Sequence, residues 1–148
     1  GIEIATGGNI LPAMANYKAL PGMEGATYYY FQIPKNPANN WLITEHYKRF
    51  KSPPDFFTAG GMAAAMAVVE ALKKTGGDTK TETLIKTMEG MSFDTPKGKM
   101  TFRKEDHQAM QSMYHFRIKN DPAFTWAVPE LVREIKPEEM QVPIRNKR

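Results

Sequence analysis

The spacing of apolar residues changes at Gly90, and this change constrains the fold more than any other feature of the 148-residue chain. Between residues 36 and 90 the apolar positions recur every three or four residues, which is typical of amphipathic helices. Beyond Gly90 they alternate with polar residues, as in strands. Residues 2–6 and 25–34 are also strand-like and enclose a short helix. The order β-α-β-α-α-α-β-β predicts a layered α/β fold.

The first long helix is predicted from its start signals. Asn36 is expected to be the N-cap and Pro37 the first helical residue, because a side-chain oxygen satisfies free N–H groups there and proline has no N–H to lose. The helix should end near Phe50. We expect Ile43, Tyr47 and Phe50 to face the core, since positions i, i+4 and i+7 share one face of a helix.

Two further helices follow the first. The second is predicted to begin near Phe57 or Thr58. Its inward stripe is expected to consist of Met62, Met66, Val69 and Leu72. The third helix should begin near Thr79, because Thr79 and Glu82 have the spacing of a capping box. It should end at Gly90.

Residues 103–107, RKEDH, are five consecutive charged or titratable groups between two predicted strands, GKMTFR and QSMYHFRIK. A zinc site needs three or four converging ligands, and adjacent side chains diverge too much to share one metal. The chain also lacks the G-x-S-x-G motif of a serine nucleophile. We therefore interpret this segment as a polar turn, and we expect no catalytic residue, no metal and no cofactor. The residues after 136 look loosely structured.

Charge and cysteine content exclude several functions. The net charge is +4, but basic residues are scattered among acidic ones, and only the terminal PIRNKR is locally basic. Nucleic-acid binders usually concentrate positive charge on one face, so we expect no nucleic-acid partner. The absence of cysteine excludes disulfides and thiolate chemistry. No apolar run approaches the roughly 18 residues of a membrane span, so none is predicted.

Two glycine pairs stand where the chain enters a helix. Gly7 and Gly8, in the sequence ATGGN, follow the first predicted strand, and Gly60 and Gly61 lie near the start of the second long helix. Free N–H groups at helix starts can hold an anionic ligand group. Neither segment has the full pattern of a nucleotide-binding loop, and tight backbone packing is the simpler interpretation of both.

Several stretches together resemble one family. Residues 1–9, 20–77 and 88–119 are similar to the carboxy-terminal part of type I periplasmic solute-binding proteins, in the leucine/isoleucine/valine-binding branch of ABC transporter receptors. The most specific element is FDTPKGKMTFRKEDHQAMQ. The chain departs from the family in the second long helix, where Met62 and Ala63 stand in place of the usual aromatic-Asp pair.

The resemblance implies the type I periplasmic-binding-protein fold, in which two Rossmann-like lobes are joined by three crossing segments and the ligand lies in the cleft. Residues 1–33 would then be part of the second lobe, residues 34–102 part of the first lobe, and residues 103–148 the return to the second lobe with the carboxy-terminal tail. We expect the chain to be the carboxy-terminal portion of a longer receptor. Its lobes would be completed by a part supplied in trans or by self-association of the fragment.

The resemblance also implies a binding protein rather than an enzyme, namely the extracytoplasmic, periplasmic substrate-binding component of an ABC uptake transporter. Its partners would be a small-molecule solute, bound by hinge closure, and the permease subunits of the transporter. Branched-chain amino acids are the usual ligands of the family, and aromatic or other organic carboxylates are the alternative. Two other functions stay open: a ligand-sensing domain of a receptor with the same fold, and an unrelated α/β enzyme with its site around His107.

Seven residues are carried over from the family as ligand-binding candidates: Thr6, Gly7, Gly8, Asn9, Phe56, Phe57 and Thr58. The first four correspond to a ligand-facing loop of the second lobe, here called the 6–9 loop, and the last three to an aromatic wall on the first lobe. In amino-acid binders this loop supplies a carboxylate for the ligand's ammonium group, whereas the 6–9 loop has none. Burying an unpaired ammonium costs several kcal/mol, so we expect a ligand without an amino group.

Overall fold

The computed structural model describes residues 5–7 and 9–145, and this part of the chain forms four α-helices and seven strands. The helices are α1 (Leu11–Asn16), α2 (Pro37–Phe50), α3 (Phe56–Lys74) and α4 (Thr81–Met88). The strands are β1 (Ala5–Thr6), β2 (Glu24–Thr27), β3 (Ser92–Thr95), β4 (Gly98–Phe102), β5 (Ala109–Met110), β6 (Met113–Lys119) and β7 (Val128–Ile135). Residues 2–4 of the first predicted strand lie outside the described residues. The predicted α/β class is confirmed.

The four-stranded sheet has the order β1-β2-β6-β7, in which β1 and β2 are parallel and the other neighbours are antiparallel. Helix α1 packs on this sheet through Met14, which is 1% exposed and contacts a cluster of apolar residues. The cluster consists of Phe116, Ile118 and Ala127. These contacts join segments that are far apart in sequence. We call this sheet together with α1 module A.

The three-stranded sheet β3-β4-β5 is antiparallel, and α3 packs on it. We call this sheet together with α3 and α4 module B. The inward face of α3 is an alanine stripe, each member at most 4% exposed: Ala59, Ala63, Ala67 and Ala71. The predicted stripe was wrong at Val69, which is 50% exposed. Phe93 and Met100 of the sheet fill the space beneath the helix and leave room only for small side chains.

The length and composition of α3 disagree with the prediction that no segment could span a membrane. It is the one helix among the described residues that is long and apolar enough to do so, judged by length and composition alone. A core helix that packs on a sheet meets the same criterion. In module B, Ala63, Ala67 and Ala71 of α3 pack in the core cluster that includes Phe93 and Met100.

The aromatic segment after β2 forms a buried turn, whereas the sequence predicted that the strand continues through it. Residues 29–31 are at most 6% exposed. Asn39 of α2 fixes the turn, because its amide nitrogen donates to the carbonyl oxygens of Phe31 and Pro34 at 2.9 and 2.8 Å. Its amide oxygen accepts the Tyr29 hydroxyl at 2.7 Å. A side chain of the following helix therefore takes the hydrogen bonds that a neighbouring strand would have made.

Helix α2 begins as predicted, but only part of its predicted inward face is buried. The Asn36 side chain accepts the backbone N–H of Asn39 at 2.9 Å, which confirms the predicted N-cap. The predicted stripe is confirmed at Ile43, which packs beside the buried Leu42. It was wrong at Tyr47 and Phe50, which are 38% and 65% exposed. The amino-terminal half of α2 packs on the aromatic turn, so the residues of its last turn extend beyond the core.

The start of α4 was also predicted incorrectly. Helix α4 begins at Thr81, and no side-chain hydrogen bond caps it at Lys80. Instead, the Asp78 carboxylate accepts the Lys80 backbone N–H at 2.9 Å, so Thr79 and Glu82 do not form the expected capping box. Strand β3 was not predicted, because its four residues are too few to show a clear period.

Residues 103–107 form the turn between β4 and β5, as the sequence predicted. Arg103 pairs with Asp106 through two hydrogen bonds of 2.7 and 2.6 Å. The same guanidinium group donates to the Val142 carbonyl oxygen at 2.7 Å, so the tail that was expected to be loose is attached to this turn. Because β5 pairs with β4, the chain crosses to the four-stranded sheet only after Met110.

Candidate functional site

The 6–9 loop directs the polar side chains of Thr6 and Asn9 into the protein. The Thr6 hydroxyl donates to Asn9 Oδ1 at 2.7 Å, and Asn9 Nδ2 donates to the Ala26 carbonyl oxygen at 2.8 Å. Asn9 is 2% exposed, and its own carbonyl oxygen accepts the Thr27 hydroxyl at 3.1 Å. These side chains therefore attach the loop to β2.

The glycines near the loop have different surroundings. A Cβ atom at Gly25, which pairs with Thr6, would lie 2.8 Å from the Thr6 carbonyl oxygen and 2.9 Å from Phe116 Cζ. Gly25 is therefore required for the close approach of β1 to β2. Gly7 is exposed, and no atom lies within 4 Å of a Cβ placed there. Gly8 lies outside the described residues, and Gly7 is the most exposed of the described residues of the loop.

The two aromatic residues at the start of α3 differ in exposure. Phe56 is partly buried, and its ring packs edge-on against Tyr28 with centroids 4.6 Å apart. The centroid of the Phe57 ring lies 5.1 Å from that of the Phe56 ring, but Phe57 remains 70% exposed. An exposed phenyl ring beside a packed aromatic pair offers apolar surface to a ligand.

Thr58 contacts helix α2 instead of the loop. Its hydroxyl lies 3.5 Å from His46 Nε2, and His46 Nδ1 lies 2.7 Å from the Ser52 carbonyl oxygen. A carbonyl oxygen can only accept, so His46 Nδ1 carries a proton in this contact, and Nε2 faces the Thr58 hydroxyl. The structure thus engages Thr58 in a contact between α2 and α3.

Asp55 connects the two candidate segments. Its carboxylate accepts the Phe56 backbone N–H at 2.7 Å and caps α3. Both carboxylate oxygens also lie 3.3 Å from the backbone nitrogen of Leu11, the first residue of α1. Because α1 directly follows the 6–9 loop, this contact brings the loop and the aromatic pair into the same region of the molecule.

A buried lysine lies beside Tyr28. Lys97 is 8% exposed, and its Nζ is 3.7 Å from the centroid of the Tyr28 ring. The ammonium group also donates to Gln111 Oε1 at 3.1 Å and to the Ser112 carbonyl oxygen. Lys97 lies in the turn between β3 and β4, whereas Tyr28 and Ser112 lie on segments that leave and re-enter the four-stranded sheet. The lysine therefore joins module B to both connections.

The environment of this cluster perturbs its charges. Burial lowers the pKa of Lys97 to about 7, and the negative charge of Glu134 acts in the opposite direction. The π face of Tyr28 and the two oxygen acceptors also favour the charged ammonium. Burial raises the pKa of the Tyr28 hydroxyl. Tyr28 therefore stays neutral, while Lys97 changes its charge near neutral pH.

His107 and Glu89 lie apart from the candidate residues. Their side chains are 3.3 Å apart beside a cavity of about 160 Å³. The cavity is otherwise lined by Ile85, Met88 and Phe102. It combines a histidine–glutamate contact with an apolar surface, and no hydroxyl or thiol nucleophile from the described part of the chain lines it. Across residues 5–7 and 9–145, no group of three or more His, Cys, Asp or Glu side chains could hold a metal ion.

Sequence reasoning missed three residues of this region, namely Tyr28, Asp55 and Lys97. Asp55 had a detectable signal, because an aspartate just before an apolar helix is a typical N-cap. Tyr28 was assigned to a strand. Lys97 had no local signal, since its burial depends on residues 28, 111 and 112, which are distant in sequence.

The fold defines a class of protein, the two-module α/β protein. Two separate sheets are joined by short connections, and candidate residues from both modules lie near Asp55. The model of the periplasmic binding protein family matches residues 3–123, and the chain belongs to this family. This membership confirms the family that the sequence resemblance indicated.

Solved structures agree with the family. An ABC-type branched-chain amino acid transporter from Rhodopseudomonas palustris CGA009 is 72% identical, with a TM-score of 0.94 over 100% of this chain and 40% of that one. An ABC transporter solute-binding protein from Rhodopseudomonas palustris BisB5, in complex with 3,4-dihydroxybenzoic acid, is 24% identical, with a TM-score of 0.79 over 93% of this chain and 38% of that one. A leucine-, isoleucine-, valine-, threonine- and alanine-binding protein from Brucella ovis, in a closed conformation, is 18% identical, with a TM-score of 0.77 over 98% of this chain and 39% of that one.

These comparisons differ in what they establish. The BisB5 and Brucella proteins are less than 25% identical to this chain and show the shared fold alone. The chain spans between 38% and 40% of the length of the three solved proteins. Comparison with curated proteins found no match.

Proposed function

We propose that the chain is part of the extracytoplasmic substrate-binding component of an ABC uptake transporter, and that it binds a small organic carboxylate by closure of two lobes. One observation carries the proposal: the Asp55 carboxylate bonds both the first residue of α1, which follows the 6–9 loop of module A, and Phe56 of the aromatic pair of module B. A ligand that contacts both lobes favours the closed form through its higher affinity for that form. The permease subunits of the transporter would then bind the closed form.

In this proposal, residues 1–33 belong to the second lobe, residues 34–102 to the first lobe, and the return to the second lobe lies within residues 103–148. The division of the strands into two sheets supports separate lobes. Strand β5 pairs with β4, so residues 111–112 form the returning connection itself. Lys97 contacts this connection and lies close to the axis about which such lobes would move.

The polar groups near the loop favour a ligand without an amino group. The side chains of Thr6 and Asn9 bond each other and β2, which leaves the backbone at Gly7 as the accessible part of the described loop. The Asp55 carboxylate already accepts two backbone N–H groups. Both N–H groups belong to helix amino ends, whose partial positive charge disfavours a ligand ammonium beside them.

Phe57 favours an aromatic or otherwise apolar ligand body, because most of its ring is exposed at the start of α3. The solved BisB5 protein holds 3,4-dihydroxybenzoic acid, and a solute-binding protein from Rhodopseudomonas palustris HaA2 holds p-hydroxybenzoic acid. Both have the same fold as this chain, which supports aromatic acids as candidates. The 72% identical protein is described as a branched-chain amino acid transporter, so leucine is the competing ligand.

Isothermal titration calorimetry of the full-length protein tests the ligand with pairs of compounds that differ in one group. Leucine and 4-methylpentanoate share a carboxylate and an apolar chain, and only leucine has an ammonium group. Phenylalanine and 3-phenylpropanoate make the same comparison with an aromatic ring. We expect the acids without an amino group to bind at least about tenfold more tightly, because a buried ammonium without a partner is strongly disfavoured.

The two parts of the proposal fail in different ways. Tight binding of leucine with weak binding of 4-methylpentanoate would overturn the choice of ligand but keep the binding role. A folded protein that binds none of the four compounds, nor p-hydroxybenzoate, would contradict the binding of small carboxylates as a class.

A further inference from the structure

The amino end of α1 is capped by a residue of the other module. The N-cap position of α1, Ile10, provides no side-chain hydrogen bond, and Pro12 has no backbone N–H. The N–H of Leu11 is therefore the first free donor of α1. Both oxygens of the Asp55 carboxylate lie 3.3 Å from its nitrogen.

The same carboxylate caps its own helix, since Asp55 Oδ1 accepts the Phe56 N–H at 2.7 Å. One side chain thus satisfies the amino ends of two helices that pack on different sheets. Helix amino ends carry partial positive charge, so a carboxylate is stabilising near each of them. The contact between Asp55 and Leu11 is consequently charge-assisted and links module A to module B.

The position of this contact relates it to the candidate ligand site. Leu11 lies two residues beyond the 6–9 loop, and Asp55 immediately precedes Phe56 and the exposed Phe57. An opening motion that separates the two modules at this point moves Leu11 away from Asp55. Such a motion breaks this hydrogen bond and returns both groups to water.

We propose that Asp55 is a positioning residue that holds the two modules together beside the candidate site and slows the opening of the ligand-bound form. The inference rests on the proposed function, because it assigns Asp55 a role in the closure by which the ligand is held. It needs no direct contact between Asp55 and the ligand. The carboxylate acts through the two helix ends that carry the candidate segments.

The start of α3 has a second anchor, which makes the role of Asp55 testable without loss of the fold. The Phe56 ring packs against Tyr28 at 4.6 Å, and Tyr28 in turn lies 3.7 Å from Lys97 Nζ. This anchor does not involve Leu11. Loss of the hydrogen bond from Leu11 to Asp55 should therefore leave α3 in place and affect the link to α1.

The substitution Asp55→Ser separates the two roles of the carboxylate. Serine is a good N-cap residue, so α3 stays capped, but its shorter side chain does not reach Leu11. Asp55→Asn keeps a side-chain oxygen at the original length and restores an acceptor for Leu11 without the charge. Asp78→Ser is the matched control, because the Asp78 carboxylate bonds Lys80 and Thr83 beside α4.

Two measurements on the full-length protein report on the hydrogen bond from Leu11 to Asp55. Amide hydrogen exchange at Leu11 is read by NMR after selective ¹⁵N-leucine labelling, and ligand dissociation by stopped-flow fluorescence with 4-methylpentanoate and leucine as probes. We expect Asp55→Ser to speed Leu11 exchange about tenfold and dissociation about fivefold, because a charge-assisted hydrogen bond is lost from the closed form alone. Asp55→Asn should recover most of both changes, and Asp78→Ser should match the wild type.

The outcomes separate this inference from the proposed function. If a folded Asp55→Ser protein keeps the wild-type Leu11 exchange and dissociation rates, the inference is overturned, while ligand binding by the wild type still supports the function. If the wild type binds neither probe, both aliphatic compounds fail as ligands, and the proposed function then depends on the aromatic acids. Leu11 exchange then still decides the role of Asp55, since faster exchange in Asp55→Ser supports the link and equal exchange refutes it.

Discussion

The two segments of the candidate site differ in how far their side chains are occupied by contacts within the protein. In the 6–9 loop, Thr6 bonds Asn9, and Asn9 bonds the backbone of β2. At the start of α3, Phe56 packs against Tyr28 while most of the neighbouring Phe57 ring is exposed. The loop is thus held by buried polar bonds, whereas the aromatic pair keeps free apolar surface.

This difference separates stability from recognition. A buried polar group that loses its partner lowers the free energy of unfolding, whereas an exposed ring contributes little to it. Substitutions of the buried loop residues should therefore change stability first. Substitution of Phe57 should change ligand affinity first, and the buried Lys97 between these regions should respond to pH.

Asn9→Ala has the largest expected effect. The substitution removes the hydrogen bond to the Ala26 carbonyl and leaves the Thr6 hydroxyl without its acceptor at a position that is 2% exposed. We expect the free energy of unfolding, measured by urea denaturation, to fall by about 2–3 kcal/mol.

Asn16→Ala is the matched control for this prediction. Asn16 is exposed in α1, and its side chain makes no capping hydrogen bond. Its replacement should leave stability unchanged or raise it by up to about 0.7 kcal/mol through the higher helix propensity of alanine. If both variants lost the same free energy of unfolding, the hydrogen bonds of Asn9 would contribute no more to stability than the exposed side chain of Asn16 does.

Lys97→Met tests the region between the two segments through its pH dependence. The pKa of Lys97 is about 7 in the folded protein, against an ordinary value of 10.5, because the ammonium is buried. The unfolded chain therefore binds the proton more tightly, and the cost of burying the charge is fully present below pH 7. This cost disappears as the pH rises from about 7 to 10.5, so stability should increase with pH over that range.

We expect the wild type to gain about 3 kcal/mol relative to Lys97→Met between pH 7 and pH 9.5, measured by urea denaturation across the range. Lys99→Met is the control, because the side chain of Lys99 is 67% exposed and pairs with Asp94 at the surface. Its curve should run parallel to that of the wild type. A parallel curve for Lys97→Met would show that the buried ammonium keeps its ordinary pKa.

Phe57→Ala has the smallest expected effect on free energy, and it acts on binding. The affinity for 3-phenylpropanoate, measured by calorimetry, should fall about fivefold because apolar contact area is lost, while the melting temperature stays nearly constant. Phe56→Ala is the comparison, because it removes the packing against Tyr28 and should lower the melting temperature. If Phe57→Ala destabilised the protein and left affinity unchanged, the contrast between the two segments would be wrong.

The sequence by itself determined the features that depend on near neighbours along the chain. Asn36 and Pro37 predicted the start of α2, because capping is a local interaction. The alternation of apolar residues predicted β4 and β6, and the charged run between them predicted the turn of residues 103–107. The family resemblance of residues 93–111 and their surroundings also came from the sequence, and family membership followed from it.

The tertiary structure decided which of several equally spaced residues are buried. In α3 the alanines from Ala59 onward and the set that includes Met62 and Val69 both fit a helical face. Only the packing of Phe93 and Met100 against the helix selects the small residues. Helix periodicity cannot make this choice, because it contains no information on the shape of the opposing sheet.

The structure likewise decided the properties of the candidate site. Lys97 is buried because residues 28, 111 and 112 surround it, and Asp55 bonds Leu11 across 44 positions of sequence. The 6–9 loop was predicted to face a ligand, yet the fold engages its side chains with β2. Charge, burial and hydrogen bonding depend on groups that meet only after folding, and for that reason the sequence indicated candidate segments but not the contacts that each of their residues makes.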